Sequence, residues 1–362
     1  MRIIFVNTSR IWGGNEKWTF EAIKGLRSRG NEVALICGRS LLEKRARGLG
    51  IQVVRMRMRS DIDLISLFRL TVFFRTWKPR SVVLTRGREY WLGGIAARMA
   101  RIPFIVARIG IEREVRRSLK DRLIFGFLLD KIIVNSSSIR SSLLSGGAIP
   151  ADKVAVIYNG VRTDPPDEKA RQRIRESLGV QKNELLIGTA GRLIHRKGVD
   201  ILLDAGKRLM LKDKSVKLVF LGDGPLREDI LAASREECFS GRIIVTGFIE
   251  GIEEYLASLD MFVLPSRAEG ISNALLEAMG LGIPSIAARA GGQEEAIADG
   301  ETGFLVGKED VSSLCERLLE LTSKPDKRST MGKLARHFVG ERFPMDVMLE
   351  KLESLLAGGE KG

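Results

Sequence analysis

Residues 261–280 read MFVLPSRAEGISNALLEAMG, and this stretch decides the fold class. Its first four residues form an apolar run, which is typical of a buried strand in a parallel sheet. A loop containing Gly270 follows, and the residues from Asn273 onward predict a helix. A strand that leads through a loop into a helix is the repeating unit of an open parallel sheet with helices on both faces.

The same unit recurs in both directions along the chain. It is interrupted at residues 159–167, where NGVRTDPPD combines Asn-Gly with Pro-Pro, two strong chain breakers. We therefore predict an α/β protein of two doubly wound parallel-sheet domains, residues 1–163 and 164–343, that face a central cleft. Helices are predicted, among others, at Leu64–Trp77, Ser118–Leu129, Val199–Met210 and Asn273–Gly280. Strands are predicted at Ile3–Asn7, Val33–Cys37, Ile51–Val54, Ser81–Thr85, Phe104–Ala107, Lys131–Asn135, Leu185–Thr189, Lys217–Leu221, Ile243–Thr246, Met261–Leu264, Ser285–Ala288 and Phe304–Val306.

The composition indicates a soluble globular protein without a disulfide framework or a metal site. Apolar residues make up 44% of the chain, and no run of 18 apolar residues predicts a membrane-spanning helix. The three cysteines lie far apart, and two histidines are too few for a histidine-rich metal site. The first residues fit a β-strand better than a signal peptide, so we expect a cytoplasmic protein.

The net charge of +14 is divided unequally along the chain. Residues 1–165 contain 31 Lys and Arg against 13 Asp and Glu, whereas residues 166–362 contain 28 against 32. This asymmetry indicates that the first half faces an anionic partner, although a solvated surface without a partner is the alternative. A basic chain also fits nucleic-acid binding, but no helix-turn-helix, RNA-binding signature or zinc module supports that hypothesis.

Two predicted helices of the basic half combine cationic and apolar residues. One covers residues 67–78, and the other is Ser118–Leu129, which follows Arg113, Arg116 and Arg117. Helices of this composition suit a membrane interface. The alternative for each is a core-facing helix with a cationic outer face.

Two carboxylates mark the stretch quoted first. Glu269 lies on the loop after the predicted strand, and Glu277 lies eight residues later, about one turn inside the helix. Both are placed to face a ligand site beyond the strand ends, where a carboxylate suits sugar or ribose hydroxyls. The alternative for each is a surface position where the carboxylate interacts favourably with the helix dipole. The backbone N–H groups of four residues converge at the same place, those of Gly270, Ile271, Ser272 and Asn273. Ser272 is the predicted N-cap of the helix.

Cationic residues follow another predicted strand, Leu185–Thr189. Arg192 and Lys197 flank the loop GRLIHRKG, which leads into a helix. Two cations beside a helix N-terminus suit a diphosphate, whereas the alternative is a solvated basic loop.

Glycines follow two further strands. Gly13 and Gly14 open the first helix. A Gly-Gly turn at this position either lets backbone N–H groups bind an anion or is only a tight turn. Gly247 and Phe248 end a strand of the second domain, and their backbone is a weaker candidate for a base pocket.

Taken in order, these segments resemble the retaining GT-B glycosyltransferases of family 4. The similarity runs through almost the whole chain and centres on the E-x7-E pattern from Glu269 to Glu277. It includes GR....KG at residues 191–198, GDGP at 222–225, GG..E at 291–295, TGFLV at 302–306 and WGGxE at 12–16.

The resemblance implies a GT-B architecture with two Rossmann-like domains. It also implies transfer of a sugar from a nucleotide-diphosphate sugar with retention, without a metal or another cofactor. Arg192 and Lys197 would hold the donor diphosphate, Glu269 the transferred sugar, and Glu277 the ribose hydroxyls. A helix near residues 344–356 would cross back to the first domain. Further donor contacts would come from Gly13, Gly14, Gly247, Phe248, Gly270, Ile271, Ser272 and Asn273.

One segment departs from the family pattern. Family members often carry His-Gly after the fifth strand of the first domain, and residues 107–110 here are Ala-Arg-Ile-Gly. Ile109 stands at the His position, so either Arg108 contacts the sugar instead or that contact is missing.

The acceptor expected for this family member is a lipid-linked glycan or a lipopolysaccharide-type saccharide. The basic first domain would then lie on the anionic cytoplasmic face of the membrane, and nucleic acid would not be a partner. The alternatives are a nucleotide-sugar-binding protein without transfer activity, a nucleic-acid-binding protein, and another GT-B enzyme such as a phosphorylase or an epimerase.

Overall fold

The computed structural model describes residues 1–112, 115, 118–165 and 167–358. The chain divides into two compact units, Met1–Gly160 with Met345–Gly362, and Val161–Pro344. We call them the N-terminal and the C-terminal unit. The basic residues Arg113, Arg116 and Arg117 lie outside the described residues.

The N-terminal unit is built on a parallel sheet that has seven strands in the described residues, in the order β3-β2-β1-β4-β5-β6-β7. The inner strands are buried apolar runs, as expected for a parallel sheet covered on both faces. Its strands are β1 Arg2–Asn7, β2 Glu32–Cys37, β3 Gln52–Arg55, β4 Ser81–Leu84, β5 Phe104–Ile109, β6 Lys131–Val134 and β7 Val154–Val156.

Helices cover both faces of this sheet. Apolar residues of α1, α2 and the C-terminal helix form one core with alternate strand residues such as Phe5 and Leu35. Those of α3, α4 and a π-helix form the opposite core with Ile4 and Val82. The helices are α1 Gly14–Ser28, α2 Leu41–Gly48, α3 Leu64–Trp77, α4 Gly87–Met99, α5 Leu119–Asp121, the π-helix Arg122–Leu128, α6 Ser137–Ser145 and the C-terminal helix Met345–Leu356.

The C-terminal unit repeats the plan with a parallel sheet of six strands, within the described part of the chain, in the order β10-β9-β8-β11-β12-β13. The strands are β8 Leu185–Ala190, β9 Val216–Leu221, β10 Ile243–Gly247, β11 Met261–Leu264, β12 Ser285–Ala288 and β13 Gly303–Val306. The helices are α7 Glu168–Ser177, α8 Val199–Lys212, α9 Arg227–Ser234, α10 Ile252–Ala257, α11 Asn273–Gly280, α12 Gln293–Ala296, α13 Val311–Ser323 and α14 Pro325–Arg342.

The predicted α/β class with two parallel-sheet units is therefore confirmed. The stretch predicted to be helical at Ser118–Leu129 is helical from Leu119 to Leu128, but only its first turn is α-helix and the rest is a π-helix. Lys153 stabilises the end of that segment, since its Nζ donates to the carbonyls of Phe125, Gly126 and Leu129 at 3.2, 2.6 and 2.9 Å. None of the helices in the described ranges combines the length and the hydropathy that crossing a bilayer needs.

Candidate active site

The C-terminal unit has a topological switch point between β8 and β11. Successive connections run outward in opposite directions from these neighbouring strands, so the loops that follow them open a crevice at the carboxyl edge of the sheet. These loops, residues 191–198 and 265–272, carry six of the predicted site residues, namely Arg192, Lys197, Glu269, Gly270, Ile271 and Ser272.

A buried carboxylate lies where the two loops meet. Glu269 is only 8% exposed. Its Oε2 lies 2.7 Å from Lys197 Nζ and 3.1 Å from Arg196 Nη1. Arg196 Nη1 also donates to the carbonyl of Ala268 at 2.7 Å. The structure thus brings the predicted residues Lys197 and Glu269 together in one ion cluster and adds Arg196, which the sequence analysis missed.

A second ion pair fixes the same two loops. Arg267 donates to both oxygens of Asp200, in the first turn of α8, at 2.9 and 2.7 Å, and to the carbonyl of His195 at 2.6 Å. Hydrogen bonds to Asp200 raise the pKa of the Arg267 guanidinium. Burial opposes ionisation of Asp200, but Arg267 holds the pKa of this carboxyl below its usual value. Because the pair is bidentate, it fixes the orientation of both loops.

A close contact between two backbone segments requires glycine at position 198. A Cβ on Gly198 would lie 1.9 Å from the carbonyl oxygen of Pro265, and the φ of +66° is itself unfavourable for other residues. The loop after β8 can therefore press against the loop after β11 only with glycine at this position.

The other predicted cation, Arg192, has a different environment. Its side chain is exposed and makes no ion pair with a carboxylate of the described residues. His195 is exposed as well, with Nε2 3.8 Å from Asp200 Oδ2. The Arg192 guanidinium is therefore accessible to an anion from solution, whereas Lys197 is already paired with Glu269.

Helix α11 places the remaining residues of the quoted stretch. Gly270, Ile271 and Ser272 are buried, and Asn273 and Glu277 are half-buried, with Glu277 in the second turn. Ser272 is at the N-cap position, as predicted, although no N–H of the helix donates to its hydroxyl. Its extended backbone alone starts the helix, and its carbonyl accepts from the Leu276 N–H at 3.1 Å.

Gly247 and Phe248 lie away from the switch point. Gly247 is the last residue of the edge strand β10 and Phe248 follows it, and β9 separates this strand from β8. Gly247 has a φ of +72°, and the Phe248 side chain is 53% exposed. An exposed aromatic ring beside a strand end is available for stacking, although the ion cluster does not contact it in the described residues.

The N-terminal unit has its own switch point between β1 and β4, and a buried glutamate bridges the loops there. Glu89 Oε1 accepts from the N–H and hydroxyl of Thr8 at 2.6 and 2.9 Å, and Oε2 accepts from those of Thr85 at 2.9 and 3.1 Å. Burial raises the pKa of Glu89 to about 7, against the effect of these hydrogen bonds. Sequence analysis missed it, although a carboxylate in the first turn of the helix after β4 was a visible signal.

Arg108, the residue beside the missing histidine, is engaged inside the N-terminal unit. It is only 4% exposed, its Nη1 donates to Asn15 Oδ1 at 2.8 Å, and its Nη2 donates to Asn159 Oδ1 at 3.1 Å. Its guanidinium lies 4.3 Å from the centre of the Trp18 ring. Burial lowers the pKa of Arg108 to about 10. Since Asn15 is in the first turn of α1, Arg108 fixes the residue that follows the Gly13-Gly14 turn.

Across the described ranges, no group of three or more His, Cys, Asp or Glu residues is positioned so that it could hold a metal ion.

Two family profiles match the chain, one in each half. The profile described as Glycosyltransferase Family 4 matches residues 12–165, and the profile described as Glycosyl transferases group 1 matches residues 184–324.

Curated relatives are similar over part of their length. The sulfoquinovosyl transferase of Arabidopsis thaliana is 34% identical over 216 residues, which cover 57% of this chain and 40% of that protein. The GDP-mannose-dependent alpha-(1-6)-phosphatidylinositol monomannoside mannosyltransferase of Mycolicibacterium smegmatis is 30% identical over 210 residues, 55% of each chain. The chain thus aligns with about half the length of these relatives.

A solved structure is similar over the whole chain. The crystal structure of an Anabaena protein in complex with UDP-glucose has a TM-score of 0.85, covers 99% of this chain and 100% of that one, and shares 21% of residues. At this identity the likeness concerns the fold.

Proposed function

Because the chain belongs to the group 1, family 4 glycosyltransferases, we propose that it transfers a sugar from a nucleotide-diphosphate sugar with retention and without a metal ion. The observation that carries the proposal is the ion cluster at the switch point of the C-terminal unit, where Lys197 and Arg196 flank the buried Glu269. Cations and a carboxylate in one crevice suit a ligand that is anionic at one end and rich in hydroxyls at the other.

The cations would act on the leaving group. As the bond between the anomeric carbon and the diphosphate breaks, negative charge grows on the phosphate oxygen, and fixed cations stabilise it more than they stabilise the ground state. Lys197 and the exposed Arg192 are proposed for this role. The departing phosphate oxygen would accept the proton of the acceptor hydroxyl, so no protein nucleophile is assigned.

The carboxylates and the loop before α11 would orient the donor. We propose that Glu269 contacts hydroxyls of the transferred sugar and that Glu277 binds the ribose. The N–H groups of the buried loop Gly270–Asn273 would meet sugar and phosphate. Arg196 would hold the Glu269 carboxylate in place once Lys197 turns to the diphosphate. Gly247 and Phe248 are kept as a proposed base-binding segment, which the exposure of the Phe248 ring supports.

The N-terminal unit is proposed to bind the acceptor. The proposed domains are residues 1–163, together with the helix near 344–356, and 164–343. Gly13 and Gly14 are kept as donor contacts because their turn starts the helix α1. Arg108 is assigned to positioning of that turn, since its guanidinium is already bonded to Asn15 and Asn159.

The acceptor is proposed to be a lipid-linked glycan or another glycolipid of the cell envelope, with the protein peripheral on the cytoplasmic face of the membrane. The excess of 31 Lys and Arg over 13 Asp and Glu in residues 1–165 supports an anionic surface as a partner. A relative named for a phosphatidylinositol monomannoside acceptor supports the same class of substrate.

A donor screen followed by product analysis tests this function. UDP, GDP and ADP sugars are compared by thermal shift, and the stabilising donor is then incubated with candidate glycolipids. The anomeric configuration of the product is measured by NMR. We expect one nucleotide class to raise the melting temperature and the product to keep the donor configuration, whereas inversion would refute the mechanism.

The same experiment separates the alternatives. A nucleotide-sugar-binding protein without transfer activity would be stabilised by the donor but would release no nucleoside diphosphate with any acceptor. Arg192→Ala provides the control, because it should lose transfer while the folded structure of the C-terminal unit is unchanged.

A further inference from the structure

The N-terminal unit exposes two rows of large apolar side chains. On α3, Phe68 follows Leu64 and Ile65 by four and three residues and Val72 follows Phe68 by four, so these side chains line one side of the helix. In the second row they recur every four residues. Their exposed fractions range from 46% to 80%. Together they define what we call the docking face: Leu64, Ile65, Phe68, Val72, Leu119, Leu123 and Phe127.

The two rows lie on the same side of the unit. Helix α3 and the π-helix bury their opposite sides in one core, through residues such as Phe74 and Phe125, and α4 packs against both. At one end of α4, Asp61 is paired with Lys120. At the other end, Arg98 donates to the carbonyl of Phe127 at 3.0 Å. The exposed rows therefore point away from the same face of the sheet.

Cationic side chains surround the apolar rows. Residues 55–78 and 118–129 contain eight Lys and Arg and three Asp. Asp61 is paired with Lys120 and Arg88. Asp63 accepts hydrogen bonds from the N–H groups of Arg59 and Ser66. Arg55 is paired with Glu43. The excess positive charge is exposed, on Arg57, Arg59, Arg69, Arg75, Lys78 and Arg122.

We propose that the docking face inserts its apolar side chains into the headgroup region of an anionic lipid bilayer. The inference deepens the proposed function, on which it rests, by naming the surface that meets the membrane. The face matches the two layers of such an interface. Its apolar side chains would contact the acyl chains, and the cationic side chains around them would pair with the lipid phosphate groups.

Charge favours the bilayer over a second copy of this chain as the occupant. In a two-fold dimer the same patch meets itself, so the cations around one copy would lie against the cations of the other. An anionic bilayer instead brings opposite charges to every side of the face.

Insertion predicts a salt dependence that adsorption by charge alone does not. Ionic attraction to the surface decays within a Debye length, about 10 Å at 0.1 M and about 3 Å at 1 M salt, so pure adsorption disappears at high salt. Burial of apolar side chains is not screened by salt. The wild type should therefore keep a part of its binding in 1 M salt.

Vesicle flotation with phosphatidylglycerol–phosphatidylcholine liposomes tests the proposal on the full chain. The apolar variant combines Ile65→Gln, Phe68→Gln, Leu119→Gln and Phe127→Gln. Its matched control is Leu211→Gln with Leu334→Gln, which removes exposed leucines of the C-terminal unit. We expect the apolar variant to lower the partition coefficient in 1 M salt at least about tenfold, a change of about 1.4 kcal/mol, and the control to leave it unchanged.

Further measurements keep the outcomes distinct. Melting temperature and nucleoside diphosphate binding should be the same in the wild type and the apolar variant, because every substituted side chain is exposed. Equal flotation of wild type and apolar variant would overturn the proposal. So would a wild-type dimer in light scattering that the apolar variant lacks, since the face would then join two copies. Failure of the wild type to bind any nucleotide sugar would instead refute the proposed function.

Discussion

Arg192 and Lys197 share a proposed role but differ in their contacts, and this difference gives the sharpest test of the site. We compare Arg192→Met with Lys197→Met. Each change removes one cation from the proposed diphosphate site, so each should lower the transfer rate by about 10²–10³, as loss of one preorganised charge-stabilising group does.

Only Lys197→Met should also destabilise the C-terminal unit. Lys197 Nζ lies 2.7 Å from the buried Glu269 carboxylate, which keeps Arg196 at 3.1 Å after the substitution. The loss is then that of one charged hydrogen bond, about 1.5–3 kcal/mol, rather than the larger penalty of an unpaired buried charge. For a unit of this size we expect a melting temperature lower by about 3–12 °C.

The assay pairs nucleoside diphosphate release with calorimetric melting. Glu269→Gln, alone and combined with Lys197→Met, completes a double-mutant cycle. Its coupling free energy measures the contribution of the ion pair itself. Arg192→Met is the control for stability, because its side chain is exposed. Full transfer activity in both variants would refute the diphosphate assignment, and an unchanged melting temperature of Lys197→Met would refute the proposed contribution of the ion pair.

Three further predictions concern other groups. Glu277→Gln should weaken binding of the nucleoside diphosphate by about 1–3 kcal/mol in titration calorimetry, and equal affinity would remove the ribose role. Transfer should persist in excess EDTA, since no group of metal-binding side chains is placed for a metal within the described residues; loss that Mg²⁺ or Mn²⁺ restores would contradict this. Burial raises the pKa of Glu89 to about 7. Its contribution to the free energy of unfolding should therefore be fully present below about pH 4.5 and decline by about 3 kcal/mol as the pH rises to about 7. The difference in melting temperature between wild type and Glu89→Gln should follow this change, and parallel pH profiles would argue against it.

The alternation of strands and helices could be predicted from the sequence because it depends on local patterns. Apolar runs such as Met261–Leu264 are buried strands, and the run after Asn273 is a helix, as expected. The fold class, with the GT-B architecture implied by the resemblance, is confirmed. Local patterns were insufficient for the π-helix, because a lysine about 30 residues away supplies the hydrogen bonds at its end.

The sequence by itself determined which strand-to-helix segments carry charged residues, since Arg192, Lys197 and Glu269 lie in loops after predicted strands and Glu277 lies in the helix after one of them. Only the tertiary structure decided which of these groups meet. Glu269 and Arg196 are 73 residues apart, and they pair because β8 and β11 are neighbours in the sheet. Strand order depends on long-range packing that no local spacing encodes, so Arg192 and Arg196 could not be told apart along the chain. For the same reason, the packing of α3 and the π-helix on one sheet face decided which apolar side chains remain exposed.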